Sequence, residues 1–182
     1  MFENKQNSFD DFIAAAEWLI ENKYTSPEKL AIRGGSNGGL LMGAVSNQRP
    51  DLFKAVVCTY PLLDMVRYHK FLMGPYWVSE YGSADDVEQF EFIHKYSPYH
   101  NVKQEAKYPA TMFVTGDGDT RVAPLHARKM TALLQAEKGQ KRPILLWYDT
   151  KAGHCAGTSV SKDLEETTVQ LGFLFWQLGV NP

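Results

Sequence analysis

The run Gly34-Gly35-Ser36-Asn37-Gly38-Gly39 stands between a short β-type stretch, Lys29 to Arg33, and an apolar, helix-like stretch, Leu40 to Val45. This is the layout of a nucleophile elbow, the Gly-x-Ser-x-Gly turn that lifts a serine hydroxyl above a parallel sheet. The serine in such a turn sits in a strained backbone conformation. Side chains two residues to either side of it are expected to strike neighbouring backbone, and glycine removes them. The helix that follows aims its first N–H groups at the place where an oxyanion forms. A phosphate loop requires Lys and then Ser or Thr after its second glycine, and a dinucleotide site requires Gly-x-Gly-x-x-Gly; neither pattern is met. A covalent hydrolase is therefore the leading expectation, with a purely structural glycine-rich turn as the plain alternative.

With 182 residues, 44% of them hydrophobic, the chain is long enough for one domain with a substantial core. No apolar run of about 18 residues is present, so no membrane span is expected. A net charge of -2 with scattered basic residues argues against a nucleic-acid surface. Cys58 and Cys155 have neither the number nor the spacing of a disulfide framework or a zinc site, and Cys58, within an apolar run, reads as a small core residue. No His-Glu-x-x-His motif or acidic cluster is evident, so no metal is expected. Met1 is followed by Phe-Glu-Asn-Lys-Gln-Asn rather than by a basic segment with an apolar core, so these residues are not expected to act as a secretory signal. By Ser8 the chain enters a helix, with Ser8 and Asp11 in capping-box spacing and Phe9, Phe12, Ile13, Ala16 and Ile20 on one face. So abrupt an opening reads as a chain that begins inside a larger architecture.

Four short apolar runs bounded by turn residues predict buried strands: Leu30 to Arg33, Ala55 to Thr59, Ala110 to Thr115 and Ile144 to Tyr148. Helical patterns alternate with them at Ser8 to Glu21, Gly39 to Asn47, Pro124 to Glu137 and Ser161 to Leu178. The alternation predicts an α/β fold with a mostly parallel sheet of about four strands. Residues 61–109 interrupt the pattern as an aromatic-rich insertion, with short helices expected at Leu63 to Phe71 and Asp86 to His94. Insertions at the carboxyl ends of parallel strands are where ligand contacts gather, so an aromatic pocket is expected there.

A serine hydroxyl needs a base, and the base needs an orienting group. In this sheet type the chain order is serine, acid, histidine, with the last two on loops after later strands. Gly116-Asp117-Gly118-Asp119 follows the third strand and Lys151-Ala152-Gly153-His154 follows the fourth. Of the histidines, His69, His94, His100 and His126 lie in helix-like or turn settings, and His154 alone occupies a glycine-containing loop after a strand. Spacing leaves Asp117 and Asp119 as equal candidates for the acid, with Asp149 a decoy. Cys155 follows the candidate base directly and is a poor candidate for the attacking atom.

Five ordered blocks carry a further signal: Gly34 to Gly39, Asn47-Gln48-Arg49-Pro50-Asp51-Leu52-Phe53, Lys95 to Val102, Asp119 to His126, and Lys151 to His154. Together, from about Ser8 to the end, they resemble the catalytic domain of the prolyl oligopeptidase family. The resemblance implies the second half of an α/β-hydrolase fold, with Ser36 as nucleophile, Asp119 as orienting acid, His154 as general base and the Asn37 backbone N–H as an oxyanion donor. It further implies that Trp77 stacks on a substrate proline ring, that Tyr81, Val122 and Leu62 help line that pocket, and that Arg121 hydrogen-bonds a substrate carbonyl. The implied reaction is cleavage after proline in short peptides, through an acyl-enzyme and without a cofactor.

Family members usually carry glycine at the position of Cys155. The resemblance also leaves this chain without the family's β-propeller, the first half of its sheet and an upstream tyrosine that completes the oxyanion hole. Loss of one such donor costs about 10²–10³ in turnover. A weakly active chain that self-associates through an exposed sheet edge is the corresponding expectation. An esterase or exopeptidase of the same fold, and an inactive fragment serving as an assembly subunit, are the alternatives. The free cysteines favour a cytoplasmic setting over a periplasmic one.

Overall fold

Parallel pairing of four short strands organises the chain, whose computed structural model describes residues 1–154 and 159–181. Strands β1 (Ala31–Gly35), β2 (Ala55–Thr59), β3 (Ala110–Gly116) and β4 (Ile144–Asp149) form one sheet in the order β1-β2-β3-β4. The register pairs Gly35 with Thr59, Thr59 with Val114, and Gly116 with Asp149. Because every strand runs the same way, the loops carrying Ser36, Leu62, Asp119 and His154 all leave the same edge of the sheet. The cysteine at 155 lies outside the described residues.

The helices are α1 (Gln6–Glu21), α2 (Asn37–Gln48), α3 (Val78–Tyr81), α4 (Val87–Tyr96), α5 (Leu125–Ala136) and α6 (Val160–Leu178). Period-2 alternation divides the strand residues between two faces. Val56, Cys58, Phe113 and Ile144 join the larger cluster with Phe9, Leu40, Val45, Met130 and Leu134 from α1, α2 and α5. Ala55, Val57, Ala110, Met112 and Val114 face the other way and meet Phe173, Val169 and Leu174 of α6. Residues covered on both sides explain why β2 and β3 read as unbroken apolar runs rather than as alternating ones. Cys58 is buried, and burial raises its thiol pKa far above the ordinary value.

Two local expectations give way to tertiary contacts. The chain is already wound as a 3-10 turn over Phe2–Lys5 and passes directly into α1 at Gln6, so Ser8 and Asp11 form no capping box at the helix start. The helix expected over Leu63 to Phe71 shrinks to a 3-10 turn at Tyr68–Lys70. The reason is that backbone N–H groups there find side-chain partners: Asp64 donates to His126 Nδ1 at 3.0 Å and Met65 to Ser97 Oγ at 3.0 Å. By contrast α4 starts as expected, with Asp86 as N-cap accepting from the Gln89 N–H at 3.0 Å.

His126 is thus a buried strut of the site-bearing connection between β2 and β3. Burial lowers its pKa to about 4 against the partial support of Asp64, while Lys129 and Arg67 add to the lowering. Between about pH 6.5 and 4 the unfolded chain takes up this proton and the folded chain does not, so acidification favours unfolding. The loss approaches roughly 3 kcal/mol once both values are passed. Urea unfolding across this window is expected to show stability falling with pH, and His126→Asn, which keeps an acceptor for the Asp64 N–H, to flatten that slope. An unchanged slope in the variant contradicts the assignment.

Candidate active site

At the end of β1 the backbone turns through Ser36 with φ 58° and ψ -117°, a conformation that L-residues rarely adopt. Three hydrogen bonds hold it there. The Ser36 N–H donates to Thr59 O at 2.9 Å, while Ser36 O accepts from the Gly39 and Leu40 N–H groups at 2.9 and 3.1 Å. A Cβ on Gly34 would lie 2.6 Å from Gly38 O, and one on Gly39 would lie 2.6 Å from Pro61 Cβ. The expected collision two residues after the serine is absent, because Gly38 faces open space; the crowding falls one position later, on Gly39. Helix α2 begins at Asn37, immediately after the serine, so its first N–H groups lie beside Ser36.

The loops after β3 and β4 are stitched together. Asp117 N–H donates to Asp149 O at 2.9 Å and Gly118 N–H to Ala152 O at 3.0 Å. This close approach requires Gly116, where a Cβ would sit 2.3 Å from Ala152 O. Stitching brings His154 Nδ1 to 2.7 Å from Asp119 Oδ2. The other oxygen of Asp119 accepts from the Arg121 and Val122 N–H groups, each at 2.8 Å. A buried carboxylate with its lone pairs so engaged accepts a proton-bearing Nδ1 and leaves Nε2 as the basic nitrogen of the ring. The His154 ring also meets the edge of Tyr60, with centroids 5.4 Å apart.

A hollow of about 180 Å³ opens beside Ser36, lined by Asn37, Leu62, Trp77, Glu80, Tyr81 and Arg121. The Arg121 guanidinium carbon lies 5.8 Å from the Trp77 ring centre. Tyr81 is buried, which together with Glu80 pushes its pKa up to about 12, and its hydroxyl donates to Asn37 Oδ1 at 2.8 Å. Val122, also expected to line this pocket, is not among the residues around the hollow but belongs to the same buried cluster as Leu62 and Tyr81. Its N–H serves Asp119.

The other candidates have structural occupations. Asp117 accepts from the Tyr148 hydroxyl, and Asp149 accepts from the Lys151 N–H and Lys162. His69 pairs with Asp85, His100 with Ser97, His94 packs on Phe90, and His126 is the strut described above. Among the described residues no cluster of His, Cys, Asp and Glu is placed to hold a metal ion. Nor is any helix among them long and apolar enough to cross a membrane.

Two residues at the site escaped sequence reasoning. Glu80 lines the hollow, and the buried Lys5 pairs with it from the amino-terminal turn, with Nζ 3.3 Å from Glu80 Oε1. Glu80 has a local signal, since it lies between Trp77 and Tyr81 in sequence. Lys5 has none, because 75 residues separate it from its partner.

Comparison with known proteins gives one consistent answer. The chain is 52% identical over 167 residues to a prolyl endopeptidase of Dictyostelium discoideum, covering 90% of this chain and 22% of that protein. It is 47% identical over 177 residues to a prolyl endopeptidase of Elizabethkingia meningoseptica, covering 97% and 25%. A solved prolyl endopeptidase structure superposes with a TM-score of 0.96 at 50% identity over 99% of this chain and 27% of that one. A post-proline cleaving enzyme from Rickettsia typhi superposes with a TM-score of 0.91 at 36% identity over 99% and 26%. The chain spans about a quarter of the length of these relatives. Its sheet and flanking helices are those of the α/β-hydrolase domain in such structures. Since the sequence profile described as "Prolyl oligopeptidase family" matches residues 1–181, the chain belongs to that family.

Proposed function

We propose that Ser36, His154 and Asp119 form the catalytic triad of a serine peptidase that cleaves on the carboxyl side of proline in short peptides. The observation that carries this reading is the 2.7 Å contact of His154 Nδ1 with an Asp119 carboxylate already held by two backbone N–H groups, on loops that leave the same sheet edge as the Ser36 turn. In the proposed reaction Ser36 Oγ attacks the scissile carbonyl while His154 Nε2 takes its proton. The oxyanion that forms accepts from the Asn37 N–H at the start of α2. His154 then gives the proton to the departing amine, leaving an ester on Ser36. Water, deprotonated by His154, releases the acid and restores the serine. No cofactor enters this sequence.

The hollow supports the choice of proline. A rigid pyrrolidine suits a flat indole such as Trp77, and Leu62 and Tyr81 line the same hollow. Arg121, which lines the hollow beside Trp77, is in this reading the donor to a substrate carbonyl. The named relatives are prolyl endopeptidases, which agrees with this substrate class. Self-association through the β1 edge and a cytoplasmic setting belong to the same proposal. β1 ends the sheet order with one side unpaired by any strand among the described residues.

Labelling by a fluorophosphonate tests the serine without assuming a substrate. The wild-type chain is expected to be labelled, Ser36→Ala to be unlabelled, and His154→Ala to be strongly suppressed. Asp119→Asn should slow the reaction by about 10⁴, because the ring is then held in the wrong tautomer. Well-folded wild-type protein that takes up no label argues instead for an inert site.

Selectivity is tested by comparing peptides that differ only in Pro or Ala at the cleavage position. Trp77→Ala is expected to erode the preference for proline by roughly 10- to 100-fold, mostly through KM. Equal loss on both peptides contradicts the assigned pocket. Size-exclusion chromatography reads the edge-pairing part, and a single monomer peak at all concentrations removes it.

A further inference from the structure

The side chain of Asn37 does no chemistry in the reaction proposed above, yet its amide oxygen has two side-chain partners. Its Oδ1 accepts from the Tyr81 hydroxyl at 2.8 Å and lies 3.5 Å from Lys5 Nζ. Lys5 is only 7% exposed. Its ammonium is paired with Glu80 at 3.3 Å and lies 5.3 Å from the centre of the Tyr81 ring. Two residues from distant parts of the chain, Lys5 and Tyr81, thus converge on one amide oxygen.

We propose that Lys5 is a positioning residue of the active site, acting through the Asn37 side chain to keep the oxyanion donors free. The inference rests on the function proposed above. An unrestrained Asn side chain bonds readily to nearby backbone N–H groups. At the start of α2 the available groups are the ones an oxyanion needs. Gly39 and Leu40 already donate to Ser36 O, whereas the N–H groups of Asn37 and Gly38 lead the helix, where no carbonyl four residues earlier lies on its axis. Engaging Oδ1 with Tyr81 and Lys5 together prevents the amide from swinging onto those donors. Glu80 fixes Lys5 in turn. The amino-terminal 3-10 turn over Phe2–Lys5 thereby becomes part of the catalytic architecture rather than a lead-in to α1.

A double-mutant cycle read by the rate of fluorophosphonate labelling tests this. Lys5→Met removes the ammonium while keeping the buried stem, and Asn37→Ala removes the clamped amide while keeping its backbone N–H. Lys5→Met is expected to slow labelling about tenfold or more in the wild-type background and to add nothing in the Asn37→Ala background, where no amide remains to swing onto the donors. Lys5→Arg should restore at least half of the lost rate, whereas Lys5→Gln should not. Multiplicative effects in the double variant, or a Lys5→Met protein labelled at the wild-type rate, overturn the proposal while leaving the triad standing. Failure of the wild type to be labelled overturns the triad and this inference with it. If Lys5→Met does not fold, the same cycle is run with Tyr81→Phe, which removes the other hydrogen bond to the same oxygen. Independent effects of Tyr81→Phe and Asn37→Ala overturn the clamp equally.

Discussion

One residue in the left-handed region, Ser36, sets how closely the rest of the site must be built. A non-glycine residue at such angles costs of order 1–3 kcal/mol, and the surroundings must over-determine it. Here they do so from both sides. β2 supplies the carbonyl of Thr59 to the serine N–H, and the first turn of α2 binds the serine carbonyl. The same contacts explain the glycines at 34 and 39, each of which leaves room for a neighbouring atom that a methyl group would strike. The turn is therefore a property of strand, helix and neighbouring strand together.

The Asp119 carboxylate is a second point of convergence, and its two oxygens have separate duties. One is held by backbone N–H groups within its own loop, which fixes the carboxylate regardless of the histidine. The other faces His154. That division makes orientation of the imidazole a consequence of loop geometry, and the loop geometry follows from the stitching of the β3 and β4 connections through Gly118 and Ala152. The connection between β2 and β3 is tied down by comparable means. His126 and Ser97 take up its backbone N–H groups, and Asp64 binds Arg67 and Lys129.

Strands and long helices were legible because their residues meet two covered faces or one covered stripe, and that periodicity survives in the chain. Boundaries moved by at most two residues, as in α2, which starts at Asn37 rather than Gly39. The segment from Leu63 to Phe71 misled because its apolar residues face a core while its backbone is claimed by side chains from α5 and from the turn after α4. For Val122 the matching motif suggests a pocket wall; its side chain is buried in one cluster with Leu62 and Tyr81, and its N–H donates to Asp119, a contact the motif does not announce.

By itself the sequence determined the parallel α/β layout, the serine turn and the ordered acid and histidine loops, since each rests on local composition or on short-range pattern. It left Asp117 and Asp119 equal by spacing, although the family resemblance favoured Asp119. Only the tertiary structure decided that Asp119 meets His154 while Asp117 meets Tyr148, that Gly39 rather than Gly38 is the crowded position, and that Lys5 reaches Asn37 and Glu80. The physical reason is the same in each case. Hydrogen bonds and close contacts between segments tens of residues apart depend on where the sheet brings loops together, and no local pattern encodes that distance.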